Sequence, residues 1–393
     1  MTATLENWSE APHNRWSFLH LDELIPTAPI PAATSWSPLA WRAGEDVLSI
    51  ATPRHDAVGE VVGTGTVGAV VEATWTDGLV VLHRGDIVAE EYHGEMTPQT
   101  RHLLMSLTKT VVGVVVTSLA DEGLFRLDDP VEAVLPELSA SGFAGATVRH
   151  LLDMRSGVRF SETYHDPDAD VYRMEHAAGW RPARPDVPAS LQAFLRTLPR
   201  ERDHGDRFSY RSSETNVLGW VCERATGTSL ADLVSERVWQ PVGAESDASI
   251  TLDPAGVAVG DGGMSATLRD TARFAELLRA NGRTADGRQV TPPWFVTDTL
   301  LAGDDCKRAF ARSSSPTGMP GGHYRNQVWV PFPGRSVLLG LGIHGQLLYV
   351  NQRSGVTGVK LSAWPTAQDP VAYYDTLGAF ESISRALAPE AHS

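Results

Sequence analysis

The stretch 106–122 limits this chain more than any other part of it. Val111, Val112, Val114, Val115, Val116 and Leu119 put apolar side chains on nearly every face of a helix, and Gly123 stops it just past its C-cap. A helix that is apolar all round has to be covered on all sides, and each fully covered aliphatic side chain stabilises the fold by roughly 1.5–3 kcal/mol. Its most apolar part, 111–120, is interrupted by Gly113, Thr117 and Ser118 and is far shorter than the roughly 20 residues a bilayer span needs. The sequence therefore predicts a core helix in a soluble protein, with no membrane partner.

The surrounding chain supplies the cover. Leu79 to Leu82 and Ile87 to Tyr92 flank His83-Arg84-Gly85-Asp86, the pattern of two strands joined by a glycine-containing turn. Further strands are expected over 337–343, 346–350 and 356–362, and helices over 148–154, 188–198, 214–225, 230–239 and 268–281. Residues 1 to about 60 show little periodicity and read as an extended segment wrapping the body. Sheet material at both ends with helices between is the pattern of an α+β fold. It consists of a discontinuous body, 1–126 and 246–393, whose antiparallel sheet is flanked by helices, and an inserted mostly helical lobe, 127–245. The default site is a cleft between the two.

Composition closes off several function classes. A chain of 393 residues with 42% hydrophobic and 21% charged residues is not disordered, and a net charge of −15 opposes binding to nucleic acid. Cys222 and Cys306, the two cysteines, are too few for a disulfide framework or a cysteine zinc site. They indicate a reducing compartment and no structural metal. The first eighteen residues lack the apolar stretch of roughly 7–15 residues that a secretory leader carries, so export is not expected and the protein reads as cytoplasmic.

Lysine is scarce, with Lys109, Lys307 and Lys360 against thirty arginines. Lys109 follows a serine by three residues, in Ser106-Leu107-Thr108-Lys109, at the first turn of the core helix. That spacing puts hydroxyl and amine on one face, within reach of proton exchange, and the helix N-terminus favours a developing anion. Covering the lysine disfavours its charged form and turns it toward base chemistry near neutral pH. Chance alone places a serine three residues before a lysine about once in fifteen, and the bland alternative is a serine cap beside a solvated lysine. Position at the mouth of an apolar helix favours the chemical reading.

Several stretches in order carry a family resemblance. His102-Leu103-Leu104-Met105-Ser106-Leu107-Thr108-Lys109, the run from Asp121 through Val131, Leu135-Pro136-Glu137-Leu138, and Thr147 through Gly157 are joined by Phe208-Ser209-Tyr210-Arg211-Ser212 and Gly262 through Thr267. Together they resemble the serine hydrolases related to β-lactamases and penicillin-binding proteins, over residues 78–385. The resemblance implies a β-lactamase/DD-peptidase-like fold, an acyl-enzyme on Ser106, Lys109 as base and Tyr210 as proton shuttle, with no cofactor. It also implies oxyanion donors at the Ser106 amide and, by alignment of the glycines in Gly340-Leu341-Gly342-Ile343-His344-Gly345-Gln346, at the Ile343 amide. Ser212 stands where penicillin-recognising members carry Asn, and the last box lacks their basic residue, so β-lactams are not the expected substrates.

Within that family, Pro12-His13-Asn14-Arg15-Trp16, His176-Ala177-Ala178-Gly179-Trp180 and Gly342-Ile343-His344-Gly345-Gln346 resemble the 6-aminohexanoate-dimer hydrolases, which cleave nylon oligomers and short esters. This implies a small amide or ester substrate and a possible homodimer. It places Tyr164, Glu175 and Asp261 on substrate-facing loops, with His344 as a further substrate contact. Trp180, Trp220 and Trp329 are candidates for an apolar cleft wall, each with core packing as its plainer role.

Three rivals remain. One is a carboxylesterase of the same family without useful amidase activity. Another is a non-catalytic binding module keeping the fold. The third is an NAD(P)-dependent oxidoreductase, because Val61-Val62-Gly63-Thr64-Gly65-Thr66-Val67-Gly68 fits the dinucleotide glycine pattern. The nine residues between Gly68 and Gly78 are too few for an ordinary crossover helix, and the following strand turns back as a hairpin, which argues against that third reading. Neither a Gly-x-Ser-x-Gly elbow nor a His-Glu-x-x-His zinc helix occurs.

Overall fold

A computed structural model describes residues 2–313 and 319–391. Ahead of the core helix lie β1 (Thr27–Ile30), β2 (Ala51–His55), β3 (Val61–Thr66), β4 (Thr76–His83), β5 (Asp86–Tyr92) and β6 (His102–Leu103). After residue 247 come β7 (Ala248–Thr251), β8 (Met264–Ala266), β9 (His323–Arg325), β10 (Val328–Val330), β11 (Val337–Gly342), β12 (Gln346–Asn351) and β13 (Val356–Ser362). They build an antiparallel seven-stranded sheet in the order β5-β4-β13-β12-β11-β10-β9, a four-stranded sheet β1-β7-β8-β6, and the separate hairpin β2-β3.

Every residue of β4 is buried, and successive side chains serve opposite faces. Leu79 and Val81 join a cluster with Val67, Val70, Val71 and Phe380, while Val80 and Leu82 join the larger core with Val111 and Val115. One face is thus closed by the helices Val67–Ala73 and Pro370–Leu387, the other by Leu107–Asp121 and Leu268–Arg279. Gly358 in β13 permits the close approach of the C-terminal helix, since a Cβ there would come within 2.1 Å of the Phe380 ring.

The core helix spans Leu107–Asp121, buried from Leu107 through Leu119, with Gly123 at φ +84° beyond its cap. It packs against β10, β11 and β12 and also against the helices Ser212–Thr226 and Leu230–Val234. Two expected helices end up shorter or altered. The one foreseen over 188–198 is Leu191–Leu195, because Ser190 accepts the Ala193 amide and fixes its start. The one over 230–239 turns after Val234 into a wider i→i+5 turn, Ser235–Trp239.

The N-terminal sixty residues do run over the body, but they also contribute β1, which pairs with β7 from Thr27↔Thr251 to Ile30↔Ala248. The glycine pattern 61–68 lies on β3 and enters a seven-residue helix, Val67–Ala73, capped by the Thr66 hydroxyl. A helix does fit the interval the sequence reading judged too short. Since β3 pairs antiparallel with β2 alone, and β4 is antiparallel to both its neighbours, no parallel βαβ unit forms there.

Candidate active site

Ser106 caps the core helix with helical backbone, φ −68° and ψ 0°, and its hydroxyl makes no capping bond. The hydroxyl is therefore turned to other use. The preceding residue, Met105, holds φ +48°, a strained conformation for a side chain of that size. Neighbouring bonds fix it: Leu103 N–H donates to the Phe18 carbonyl at 2.8 Å and Leu104 N–H to the Met264 carbonyl at 2.8 Å. The end of β11 closes in beside it, because a Cβ on Gly342 would sit 3.0 Å from both the Leu104 oxygen and the Met105 Cβ.

Lys109 is 1% exposed, and its Nζ donates to Ser106 Oγ at 2.8 Å and to the Asp261 carbonyl at 2.6 Å. Burial pushes its pKa down, against the opposing pull of the Asp261 and Glu162 carboxylates. Tyr210 stands beside this pair. Its ring lies 5.2 Å from Lys109 Nζ and stacks on Trp329, centroids 5.4 Å apart. Burial, then the Glu162 charge, pushes the phenol well up. Burial, with the nearby carboxylates, favours the protonated phenol, and the lysine is the group driven toward its neutral, basic form.

A narrow cleft opens at Ser106, lined by residues of both 127–245 and the rest of the chain, Tyr164, Glu175, Trp180, Asp261 and Ile343 among them. Tyr164 donates to Glu162 Oε1 at 2.7 Å. Asp261 exchanges two bonds with Asn216, Nδ2 to Oδ1 at 2.8 Å and its own N–H to Asn216 Oδ1 at 3.1 Å. Its other oxygen stands 3.8 Å from Lys109 Nζ. Glu175 is raised by burial, yet it also accepts from Arg181 Nε, whose guanidinium lies over the Tyr172 ring at 4.5 Å.

His344 is not brought to the cleft wall, contrary to its expected substrate contact. It is 5% exposed, its ring is edge-on to Phe18, and its Nδ1–H donates to the Trp364 carbonyl at 2.8 Å. Of the three candidate tryptophans, Trp180 lines the cleft, Trp329 supports Tyr210, and Trp220 is in the core. Sequence reasoning missed Glu162, which accepts from the Ser212 amide at 2.6 Å, the Ser212 hydroxyl at 2.8 Å and Tyr164. The available signal was its place two residues before Tyr164, beside a serine in the tyrosine motif where related enzymes carry Asn. Among the described residues no group of acidic, histidine or cysteine side chains is arranged to hold a metal.

A Ser-x-x-Lys pair at a helix N-terminus, its lysine buried and a tyrosine ring beside it, set between an antiparallel sheet and a helical stretch, defines an active-site serine hydrolase. The β-lactamase family model matches residues 64–379, and the chain belongs to that family. It is 35% identical, over 98% of its length and 94% of the relative's, to the 6-aminohexanoate-dimer hydrolase of Paenarthrobacter ureafaciens. A solved structure provisionally assigned as a 6-aminohexanoate-dimer hydrolase of Bacillus anthracis superposes with a TM-score of 0.87 at 26% identity, covering 98% of this chain and 97% of that one. Esterase EstB of Burkholderia gladioli is 31% identical over 46% of this chain and 47% of its own.

Proposed function

We propose that this enzyme hydrolyses short amides and esters through an acyl-enzyme on Ser106, with the linear 6-aminohexanoate dimer among its substrates and nylon-oligomer breakdown as its setting. The observation that carries the reading is the 2.8 Å bond between Ser106 Oγ and a buried Lys109 whose pKa is lowered. Neutral Lys109 takes the Ser106 proton as Oγ attacks the acyl carbon. The amides of Ser106 and Ile343 receive the oxyanion, and Tyr210 delivers a proton to the leaving group. Water then attacks the acyl-enzyme by the reverse proton path.

On this reading the cleft separates a body, 1–126 and 246–393, from a lobe, 127–245. Tyr164, Glu175 and Asp261 face the substrate chain, and their carboxylates suit a cationic amine end. His344 serves the site indirectly, from behind Ile343. The buried free thiols Cys222 and Cys306 suit a cytoplasmic enzyme, and a homodimer is the proposed assembly. A carboxylesterase is the second reading, favoured by one observation: Arg181 already occupies Glu175. Amine release from the 6-aminohexanoate dimer, measured beside a short nitrophenyl ester for wild type and Ser106→Ala, tests both. Ser106-dependent turnover of both substrates supports the amidase, ester turnover alone supports the carboxylesterase, and turnover that survives Ser106→Ala overturns the mechanism.

A further inference from the structure

The N-terminal segment lies outside the part of the chain that matches the family model, yet it touches one wall of the cleft and residues directly behind two others. Trp8, 3% exposed, donates its indole N–H to the Trp180 carbonyl at 2.7 Å and meets the Trp180 ring edge-on, centroids 5.4 Å apart. Trp180 is a cleft wall, and its own indole N–H donates to Thr251 Oγ1 at 3.0 Å. Asn14 is fully buried, and its Nδ2 donates to the Trp364 carbonyl at 2.9 Å. That same carbonyl accepts His344 Nδ1–H, and His344 immediately follows Ile343. Phe18 packs edge-on to His344 at 5.3 Å, and its carbonyl accepts the Leu103 amide three residues before Ser106.

Buried polar bonds of this kind cost the fold more when broken than they add on balance when made, so each fixes the position of both partners. A segment that is bonded to the Trp180 wall and to the strand leading to Ser106, and that meets the Ile343 turn through the Trp364 carbonyl and the His344 ring, holds the three in register. We propose that residues 4–25 act as a clamp on the acyl site. In this clamp Trp8 is a positioning residue that sets acceptance of long acyl chains through Trp180, and Asn14 is a positioning residue that acts on the oxyanion side through Trp364 and His344.

The proposal rests on the reading of this cleft as the acyl site, so Ser106→Ala is run first with nitrophenyl acetate and nitrophenyl hexanoate. Activity that survives removes the premise. With that control abolished, Trp8→Phe keeps a ring but loses the indole bond, and Thr251→Val removes the other anchor of Trp180. Each is expected to lower kcat/KM for the hexanoate about tenfold, through KM, with the acetate changed no more than about twofold, the scale of one apolar pocket contact. Asn14→Ala is expected to lower kcat on both esters about tenfold at unchanged KM, as loss of oxyanion alignment does. Thermal midpoints identify any variant that fails to fold, and the remaining ones then decide. An unchanged hexanoate-to-acetate ratio in folded Trp8→Phe and Thr251→Val, or equal losses on both esters, overturns the role of Trp8. A KM effect without a kcat effect in Asn14→Ala overturns that of Asn14.

Discussion

The two ends of the cleft are built differently. At the reacting end, Ser106 and Lys109 share the first turn of the core helix, Tyr210 precedes the Ser212–Thr226 helix, and Ile343 follows β11. At the far end, Glu162, Tyr164 and Arg181 stand on loops and only Glu175 lies on a helix, Asp170–Ala177, while the loop residue Asp261 reaches between the two ends, its carbonyl on Lys109. Both ends hold shifted proton affinities, Lys109 lowered and Tyr210 raised at the one, Glu162, Tyr164 and Glu175 raised at the other, but the far end also compensates its charges internally: Arg181 on Glu175, Asn216 on Asp261, and Ser212 with Tyr164 on Glu162. The chemistry sits on packed elements. Loops carry the groups that are easiest to exchange when substrates change.

Substitutions break this contrast to different degrees. Ser106→Ala and Lys109→Ala are each expected to lower kcat at least about a thousandfold without altering the far-UV spectrum, since both act in one proton-transfer unit. Near-normal turnover of Lys109→Ala would remove the base from the mechanism. Tyr210→Phe should cost about 10²–10⁴-fold on an amide and less on a nitrophenyl ester, whose leaving group needs no proton. Equal losses on the two would show that Tyr210 does something other than protonate the leaving group.

Glu162→Gln links the two ends. Lys109 must be neutral to act, so kcat/KM should rise with pH and level off below the ordinary lysine range, because burial lowers its pKa. The Glu162 charge favours the ammonium form, so its removal should move the rising limb to lower pH. A shift to higher pH, or none, would separate Glu162 from Lys109. The smallest effect belongs to Arg181→Gln. With Glu175 released, KM for an amine-ended substrate should fall about two- to fivefold, the scale of a partly exposed ion pair, with a neutral ester unaffected. Equal changes for both substrates would mean that Arg181 shapes the loop and does not tune its charge.

The same contrast governs what was legible in the sequence. The core helix, the β4-β5 hairpin and β11 to β13 were foreseen because their apolar periodicity is local, and Ser106-Lys109 because an i,i+3 pair on a buried helix is local too. Tyr210 and Ile343 came from motif resemblance, since no periodicity brings residues a hundred or more positions apart together. Glu162 stayed hidden because its meaning lies in Ser212, fifty positions on, and in a desolvated lysine. His344 misled because a polar residue at a strand end reads as available, whereas its Nδ1 is committed to Trp364. The N-terminal segment shows no periodicity, only the motif resemblance at 12–16, because its fixed points are single residues on separate partners, Trp8, Asn14 and Phe18.

The central claim is a covalent acyl-enzyme on Ser106. Intact mass measured on enzyme quenched with acid during turnover of nitrophenyl hexanoate, followed by peptide mapping, tests it most directly. One hexanoyl group is expected on the peptide containing Ser106, absent in Ser106→Ala and accumulating when deacylation is slowed. An active enzyme that shows no adduct under these conditions, or carries it on another residue, would contradict it.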